Sequence, residues 1–268
     1  MELINWEEKL LPYRQAVDEL VVKFENIKKE YTALKLVAPI EEIHGRVKTI
    51  SSILDKAGRR NIPTDQIFEK LEDIAGVRII CRFVEDIERV VNIIRQRSGL
   101  DLEVLEEEDY ITNTKASGYR SYHMTIKYKM ITIDGPKDIL CEVQIRTMAM
   151  NFWASIEHSL RYKYSGNLPD ELKERLRNCA DAAFQLDTEM ATIRDDIVEA
   201  KMISETKNNL VDGIVKNLHN LYYVAKIEKV SAFNKKFIEI YQGGSLEELR
   251  DFSSKLQTMA KLYKVEYV

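Results

Sequence analysis

The segment that spans residues 71–83 constrains the fold of this chain more than any other. It begins as a polar turn that contains Asp73 and Gly76, and it continues as an alternating run. From residue 77 onward its odd-numbered positions are apolar, and Arg78 and Arg82 lie among the even-numbered ones. Because successive side chains of a strand point to opposite faces of a sheet, this pattern predicts a strand with one core face and one arginine-bearing face.

A second run, residues 139–147, repeats this design. Glu142, Gln144 and Arg146 alternate with apolar residues. If both strands lie in one sheet over one core, Asp73 and Glu142 can meet at a single metal ion. Each strand taken alone also fits an ordinary amphipathic strand whose charged side chains are solvated, so both interpretations stay open.

Bulk composition limits the class of protein. The chain has 268 residues, 45% of them hydrophobic and 31% charged, which fits a globular domain with or without an appendage. A net charge of −4 argues against a general coat for nucleic acid. No apolar run reaches membrane-span length and the acidic N-terminus lacks a signal-peptide core, so we expect a cytoplasmic protein without a membrane partner. The three cysteines are far apart and the four histidines are dispersed, which gives no zinc-like spacing.

Apolar periodicity predicts a series of helices. The predicted helices cover residues 6–36, 39–58, 86–98, 148–163, 170–201 and 206–223. Polar and basic side chains cluster along the second of these helices and just beyond it: Arg46, Lys48, Ser52, Lys56 and Arg59. A charge run of this kind is usually a solvated helix face, and composition alone does not make it a binding site.

The middle of the chain reads as strands joined by a polar loop. A strand at 100–105 is followed by an acidic loop at 106–109 and by a second loop at 112–123 that carries Gly118 and Tyr119. A strand at 122–130 then leads through the Asp-Gly-Pro turn at 134–136 into the run at 139–147, which predicts an antiparallel hairpin.

The C-terminal part has a different pattern. We predict a strand at 237–241, a helix from 246 to about 263 that starts at the Gly-Gly-Ser sequence, and a closing strand at 264–268. We therefore expect two domains, a main domain at 1–204 and a small α/β extension of unknown role at 205–268.

Five segments together resemble the small alarmone synthetases of the RelA/SpoT family, and they follow in the order found in that family. They are Gly45 to Lys48, Glu72 to Arg78, Ser117 to His123, Glu142 to Thr147 and Met150 to His158. The resemblance covers roughly residues 5–200. It implies an α+β fold, in which a mixed β-sheet of nucleotidyltransferase-like type forms the synthetase core and long helices flank it.

The resemblance also implies an activity, GTP pyrophosphokinase, in the stringent response. The expected reaction is Mg²⁺-dependent transfer of pyrophosphate from ATP to the 3′-hydroxyl of GDP, GTP or GMP. Asp73 and Glu142 would be the catalytic carboxylates and the metal ligands, and Glu142 would hold the metal or draw the proton from the hydroxyl. Mg²⁺ prefers a few carboxylates together with phosphate oxygens, which fits this pair.

The same match assigns binding residues. For ATP they are Arg46, Lys48, Ser52, Lys56, Arg59 and Arg78. For the guanine nucleotide they are Lys115, Tyr119, His123, Gln144, Asn151 and Glu157. Arg46 and Arg78 would stack on adenine and Tyr119 on guanine. Since stacking needs only the ring, Tyr119→Phe is expected to be nearly silent.

Other family features are expected to differ. No His-Asp dipeptide occurs in the sequence, so hydrolase activity is not expected. The resemblance points to a homotetramer, with the stripe of apolar residues at 172–197 and the first helix as packing surfaces. Some family tetramers bind product in a central cleft that uses basic residues, whereas this chain has Glu25, Glu41 and Glu42 in the corresponding segments, which puts that site in doubt.

Two alternatives to alarmone synthesis stay open. One keeps the ATP site but transfers pyrophosphate to an RNA 3′ end, and the other is an RNA-binding regulator without turnover. Lys115, Arg120, Lys127 and Lys129 would favour RNA, but the acidic run at 106–109 lies beside them. The net negative charge and the intact Asp73–Glu142 pair argue against the regulator, so RNA as a partner is not indicated.

Overall fold

The computed structural model describes residues 5–163, 168–224 and 227–262 of the chain. In chain order its elements are α1 (Trp6–Ala33), β1 (Glu42–Val47), α2 (Ile50–Arg59), α3 (Ile67–Lys70), β2 (Ala75–Cys81), α4 (Val84–Arg97), β3 (Leu102–Asp109), β4 (Tyr122–Thr132), β5 (Gly135–Thr147), α5 (Met148–Lys163), α6 (Asp170–Val224), α7 (Ile227–Gly243) and α8 (Leu246–Leu262). A 3₁₀ turn at Thr64–Gln66 precedes α3. In these described ranges, no helix is long and apolar enough to cross a membrane. The chain divides into two compact units, Met1–Ala191 and Thr192–Val268.

The first unit is built on one five-stranded sheet of order β1-β2-β5-β4-β3. Strands β2 and β5 run parallel, and the other neighbouring pairs are antiparallel. The predicted α+β class with a mixed sheet is confirmed. The two strands singled out by their alternation are direct neighbours in the middle of this sheet.

The core lies on the apolar face of this sheet, against α1 and α4. Ile79 of β2 and Val143 of β5 are fully buried there, as is Ile94 of α4. Burying a large aliphatic side chain stabilises the fold by about 1.5–3 kcal/mol, so this layer fixes which face of the sheet is left for polar residues. The buried cysteines Cys81 and Cys141 are free thiols in the same layer, as expected for small apolar side chains.

Strand β1 replaces the first half of the helix that we predicted at 39–58. The prediction was wrong here because Ile43 and Val47 are four residues apart, a spacing that places both on one face of a helix and also on one face of a strand. The strand packs closely on α1: a Cβ at Gly45 would lie 2.4 Å from Cγ1 of Val17. Only the second half of the predicted helix is helical, as α2, which is capped by the Thr49 side chain.

The acidic run at 106–109 is part of strand β3 and not a loop. Its residues pair with β4, from Glu106 opposite Thr125 to Asp109 opposite Tyr122. The Glu107 carboxylate accepts hydrogen bonds from Arg95 and from the Tyr122 hydroxyl. This edge strand can therefore carry acidic side chains because cations and solvent compensate them.

The second unit is helical throughout its described residues. The strand predicted at 237–241 is wrong, because these residues lie within α7. The alternation of that short window is real, but Val230, Phe233, Phe237 and Ile240 also recur at helical spacing and pack in one core with residues of α6 and α8. The predicted helix from 246 is confirmed as α8, and α6 is one helix where two were predicted. The strand predicted at 264–268 lies outside the described residues.

Candidate active site

The polar face of the sheet gathers side chains from four strands. The parallel register of β2 and β5 places Gly76 opposite Glu142 and Arg78 opposite Gln144. On the other side of β2, Arg46 of β1 lies opposite Gly76. On the other side of β5, His123 of β4 lies opposite Gln144. Because opposed residues share a face, the carboxylate, the two arginines and the histidine lie over the same surface.

These side chains surround a small pocket of about 110 Å³. It is lined by His44, Gly45, Arg46, Asp73, Gly76, Val77, Arg78, Glu142 and Gln144. Asp73, which precedes β2, and Glu142, in the middle of β5, thus reach one pocket from two strands. The structure places the pair of carboxylates together as the alternation of the two strands predicts.

Two lysines hold the carboxylate of Asp73. Its Oδ2 accepts hydrogen bonds from Lys48 Nζ at 2.5 Å and from Lys56 Nζ at 2.6 Å. Burial alone would raise the pKa of Asp73, but these hydrogen bonds and charges outweigh it and the pKa is lowered. In the part of the chain that the structure describes, the buried Oδ1 has no hydrogen-bond partner. One oxygen of an ionised carboxylate is therefore left for a ligand.

The carboxylate of Glu142 is held by an amide and by a histidine ring. Its Oε2 accepts a hydrogen bond of 2.6 Å from Gln144 Nε2, and its Oε1 lies 3.2 Å from His123 Nδ1. Burial would raise the pKa of Glu142, but the interactions with His123 and Gln144 lower it below its usual range. The carboxylate is ionised at neutral pH and can act as a base or as a metal ligand.

A divalent cation fits this donor set. Among the described residues there is no cluster of three or more histidine, cysteine, aspartate or glutamate side chains that would form an all-protein metal site. Two carboxylates in one pocket, one with an unpartnered buried oxygen, instead suit an ion that takes its remaining ligands from phosphate and water. Mg²⁺ is bound in this way.

Arg46 and Arg78 supply positive charge on the same face. The side chain of Arg46 lies over Gly76, where a Cβ would be 3.7 Å from its Cγ. Burial, together with the charges of Arg146 and Arg46, lowers the pKa of Arg78 to about 10, which leaves it cationic at neutral pH. The buried Nε of Arg78 has no partner among the described residues. A guanidinium with an unused buried donor indicates that a ligand completes its hydrogen bonding.

Tyr119 lies beyond Glu142 on the loop before β4. Gly118 has φ of +87°, and a Cβ there would meet Ala180 of α6 at 2.7 Å, so only glycine allows the loop to sit this close to the helix. The half-buried Tyr119 ring contacts Tyr110 edge-on, with ring centroids 6.2 Å apart. The Lys115 ammonium lies 3.7 Å from the centre of the Tyr110 ring and 5.4 Å from that of Tyr119. The loop thus presents an aromatic surface with a cation beside it.

Four predicted site residues neither line the pocket nor form a hydrogen bond, ion pair or ring contact with another predicted site residue in the part of the chain that the structure describes. The Ser52 hydroxyl bonds with Thr49 at the start of α2, and the exposed Arg59 donates to a backbone oxygen in its own helix. Glu157 pairs with Arg161 at 2.5 Å and lines a second pocket beside the loop that carries Tyr119. Asn151 has a buried Oδ1 without a partner in the described chain. Their assignments stay predictions.

Two residues near the site were not assigned a role from the sequence. Arg146, only 4% exposed, donates to the Tyr119 hydroxyl and to Gln144. Its place on the face of Glu142 and Gln144 follows from the alternation of β5, and this signal could have identified it. Tyr110, edge-on to both Tyr119 and His123, carries no such signal because it lies in the turn after β3.

A sheet face that carries paired carboxylates among cations is suited to a class of ligand, the metal-bound polyphosphates. Comparison with known proteins narrows this class. The model of the region found in RelA / SpoT proteins matches residues 45–167, which include all five segments identified from the sequence. The GTP pyrophosphokinase YjbM of Bacillus subtilis is 50% identical over 197 residues, which cover 74% of this chain and 92% of that protein.

Solved structures agree with this match. The crystal structure of small alarmone synthetase 1 from B. subtilis bound to its product pppGpp is 49% identical, with a TM-score of 0.68 over 72% of this chain and 97% of that chain. The structure of the same synthetase bound to AMPCPP is 46% identical, with a TM-score of 0.63 over 72% of this chain and 98% of that chain. The chain therefore belongs to the RelA/SpoT family, among its small alarmone synthetases.

Proposed function

We propose that the chain makes guanosine alarmones by Mg²⁺-dependent transfer of pyrophosphate from ATP to the 3′-hydroxyl of GDP, GTP or GMP, as a cytoplasmic enzyme of the stringent response. The observation that carries this proposal is the meeting of Asp73 and Glu142 in one pocket that Arg46 and Arg78 also line. A relative that binds pppGpp as its product and AMPCPP, an ATP analogue, supports the pair of substrates.

The donor side of the pocket suits a triphosphate. Lys48 and Lys56 converge on one oxygen of Asp73, so their ammonium groups already lie where negative charge is held. Arg46 and Arg78 offer guanidinium planes on the neighbouring strands, and such planes stack on a purine base. We assign ATP to this side, with Ser52 and Arg59 as further ligands from α2.

The acceptor side suits a guanine nucleoside. Tyr119 presents an aromatic ring, Lys115 places a cation beside it, and His123 joins it to Glu142. We assign the guanine nucleotide to this side, with Gln144, Asn151 and Glu157 as further ligands. A guanine stacked on Tyr119 would direct its ribose toward Glu142.

The chemistry follows from this placement. The oxygen of the 3′-hydroxyl attacks the β-phosphorus of ATP, the bond from that phosphorus to the α–β bridging oxygen breaks, and AMP leaves. Glu142 lies on the acceptor side and receives the hydroxyl proton. Asp73 and Glu142 would hold Mg²⁺, which when bound neutralises charge on the phosphoryl groups. The cations around the pocket stabilise the charge that builds up on the transferred group.

Incubation of the full chain with ATP, Mg²⁺ and GDP, followed by nucleotide chromatography, tests the proposal. We expect AMP and a guanosine bearing two additional phosphates in equal amounts, and no product when Mg²⁺ is removed. Pyrophosphate transfer to an RNA 3′ end and not to GDP would support the RNA alternative. Binding of RNA without turnover of any acceptor would support the regulator.

We also propose that the chain assembles with copies of itself, as a tetramer. Four large apolar side chains of α5 and α6 are 48–68% exposed and line one apolar groove of about 740 Å³: Met148, Phe152, Leu186 and Met190. Such a surface is costly to leave in water. Light scattering at working concentrations should give a multiple of the 31.2 kDa chain mass, and a monomer would contradict the assembly. We retain residues 1–204 as the synthetase domain and 205–268 as an extension of unknown role.

A further inference from the structure

Arg146 of β5 is a buried cation whose acceptors are neutral. Only 4% of the residue is exposed. Its Nη2 donates to the Tyr119 hydroxyl at 2.7 Å and to Gln144 Oε1 at 2.6 Å, and its Nε donates to the Ser121 hydroxyl at 3.3 Å. Burying a guanidinium costs several kcal/mol unless its hydrogen bonds are satisfied in return. Its position is therefore informative, because an apolar side chain would fill a β-strand position at no such cost.

The two short hydrogen bonds of Arg146 begin two arms that both end on Glu142. One arm passes from Tyr119 through a contact of 2.8 Å to His123 Nε2, and from His123 Nδ1 over 3.2 Å to Glu142 Oε1. The other passes from Gln144 Nε2 over 2.6 Å to Glu142 Oε2. The five side chains form a closed ring that joins the proposed guanine platform to the proposed base.

Two members of this ring have a fixed hydrogen-bonding role: the guanidinium of Arg146 only donates, and the ionised carboxylate of Glu142 only accepts. The Tyr119 oxygen therefore accepts from Arg146, which leaves its own proton to turn toward His123 Nε2. His123 Nδ1 faces Glu142 Oε1, so this nitrogen is a donor. The Gln144 oxygen likewise accepts from Arg146, so its amide nitrogen faces Glu142. Both arms thus deliver donors to the same carboxylate.

We propose that Arg146 is a positioning residue for pyrophosphate transfer: it orients the tyrosine hydroxyl that faces the histidine ring, and the glutamine amide, so that two donors hold Glu142 in place for the acceptor hydroxyl. The proposal rests on the proposed function for its kinetic consequence, but the hydrogen bonding of the histidine ring is a property of the free protein. Arg146 acts through its neighbours and does not itself reach the pocket.

The ring nitrogens of His123 give a test that does not depend on turnover. The chain has four histidines, and nitrogen-15 spectra of histidine-labelled protein report the protonation and hydrogen bonding of each ring nitrogen. A His123→Gln variant identifies the signal. We expect the Nε2 resonance of His123 to shift in Arg146→Met, because the Tyr119 hydroxyl is then no longer turned toward this nitrogen. Arg82→Met, at an exposed arginine that pairs with Glu41, is the matched control and should leave the spectrum unchanged.

Kinetics give the second test. Loss of an oriented partner of a catalytic group usually costs about 10- to 100-fold, so Arg146→Met should lower kcat by that factor, while KM for ATP stays within about twofold. Arg146→Lys retains the charge and a donor but lacks the planar fork, so it should recover part of the lost kcat. Loss of folded protein would also lower the apparent kcat at an unchanged KM, so each rate is divided by the concentration of ATP-binding sites measured by calorimetry. A variant that was merely destabilised would then show the kcat of the wild type.

A double-mutant cycle with Tyr119→Phe tests the ring itself. Because both changes break the same arm, the double variant should lose little more kcat than the worse single variant. Losses that multiply in full would overturn the proposal, as would an unchanged Nε2 resonance of His123 in Arg146→Met. If Arg146→Met does not fold, the Nε2 resonance in Arg146→Lys decides in its place. A wild-type protein that turns over no acceptor would refute the proposed function, yet the spectra would still test the ring.

Discussion

The two carboxylates of the pocket are held in contrasting ways. Asp73, on the donor side, is bound by two ammonium groups at 2.5 and 2.6 Å and has one buried oxygen without a partner in the described chain. Glu142, on the acceptor side, has a donor at each oxygen, from His123 and Gln144. Burial would raise both pKa values, and in both cases the partners lower them.

The contrast indicates how each side meets its substrate. Phosphate oxygens can replace Asp73 as the partners of Lys48 and Lys56, and Mg²⁺ can replace the two lysines as the partner of Asp73. We therefore expect these contacts to be exchanged when ATP binds. The hydrogen-bond ring around Glu142 is complete before any ligand arrives, so we expect the acceptor side to keep its geometry. A preorganised base does not have to be reoriented during the reaction.

The largest expected effect comes from removing either carboxylate. Asp73→Asn and Glu142→Gln keep shape and remove charge, so the fold should survive while synthesis falls by at least about 10²- to 10³-fold, the cost of losing a main electrostatic group. Initial rates with ATP, Mg²⁺ and GDP measure the loss. Asp134→Asn, in the exposed turn between β4 and β5, is the control and should retain full activity.

The same two variants also separate the sides of the pocket in binding experiments. Asp73→Asn should weaken Mg²⁺–ATP binding and leave GDP binding unchanged, whereas Glu142→Gln removes one proposed metal ligand but no partner of Lys48 or Lys56 and should weaken ATP binding less. Full turnover in either variant would remove that residue from the mechanism.

Tyr119 tests the acceptor side. A base stacked on an aromatic ring contributes about 1–3 kcal/mol, so Tyr119→Ala should weaken guanine-nucleotide binding by roughly tenfold to a hundredfold and change ATP affinity little. Calorimetry with each nucleotide measures both. Equal loss of ATP and GDP binding would mean that the residue supports the fold and not the base.

The structure adds an expectation for catalysis to the prediction that Tyr119→Phe is nearly silent in binding. The hydroxyl accepts from Arg146 and contacts His123, so it belongs to the ring although stacking does not need it. We expect Tyr119→Phe to bind GDP almost as the wild type does and to lose kcat. Unchanged kcat would show that the ring does not serve catalysis.

Lys56 tests the donor side with a smaller effect. Lys56→Gln removes one of the two cations on Asp73, and a charge-assisted hydrogen bond to phosphate contributes about 1.5 kcal/mol or more, so ATP should bind roughly tenfold more weakly. GDP binding should not change. Lys29→Gln, at an exposed position of α1, is the control for loss of a positive charge. Equal weakening of ATP binding and GDP binding would show that Lys56 does not act on the donor side alone.

Sequence patterns predicted the centre of the sheet well and its edges poorly. Strands β2 and β5 alternate over most of their length because one face is buried and the other is largely polar, so both strands and both carboxylates were identified from the sequence. β1 and β3 lie at the edges, where the burial that produces alternation is incomplete. Ile43 and Val47 therefore read as a helix, and the acidic end of β3 read as a loop.

The site was predicted to a similar extent. Residues on the polar face were placed together because two neighbouring strands share a core face and hence also a polar face, which brings Asp73, just before β2, to the pocket of Glu142. The pairing of Lys48 and Lys56 with Asp73 depends on how α2 packs, and the closed ring of Arg146 depends on loop geometry. Periodicity carries neither kind of information, because both arise from contacts between segments that are distant in the chain.

Asp187 shows how the pKa of a buried carboxylate shifts when it lacks such partners. Asp187 of α6, 5% exposed, lies in the apolar groove against α5 and accepts a hydrogen bond of 2.5 Å from the Thr147 hydroxyl. Burial raises its pKa to about 6, and the Thr147 hydrogen bond offsets this only in part. Asp73 and Glu142 are shifted the other way because cations or two donors reach them.

The smallest predicted effect is the pH dependence that Asp187 gives to stability. The folded protein holds this proton more tightly than the unfolded chain, where the pKa has its ordinary value of 3.8. Its contribution is therefore complete below about pH 4 and is lost as the pH rises through about 6. Asp187→Asn cannot ionise, so relative to the wild type it should gain on the order of 1 kcal/mol of unfolding free energy between pH 4 and pH 7. Urea unfolding of both proteins across this range measures the difference, with Asp134→Asn as the exposed control. A difference that does not vary with pH would show that Asp187 is ionised in the groove, held by partners as firmly as the carboxylates of the pocket.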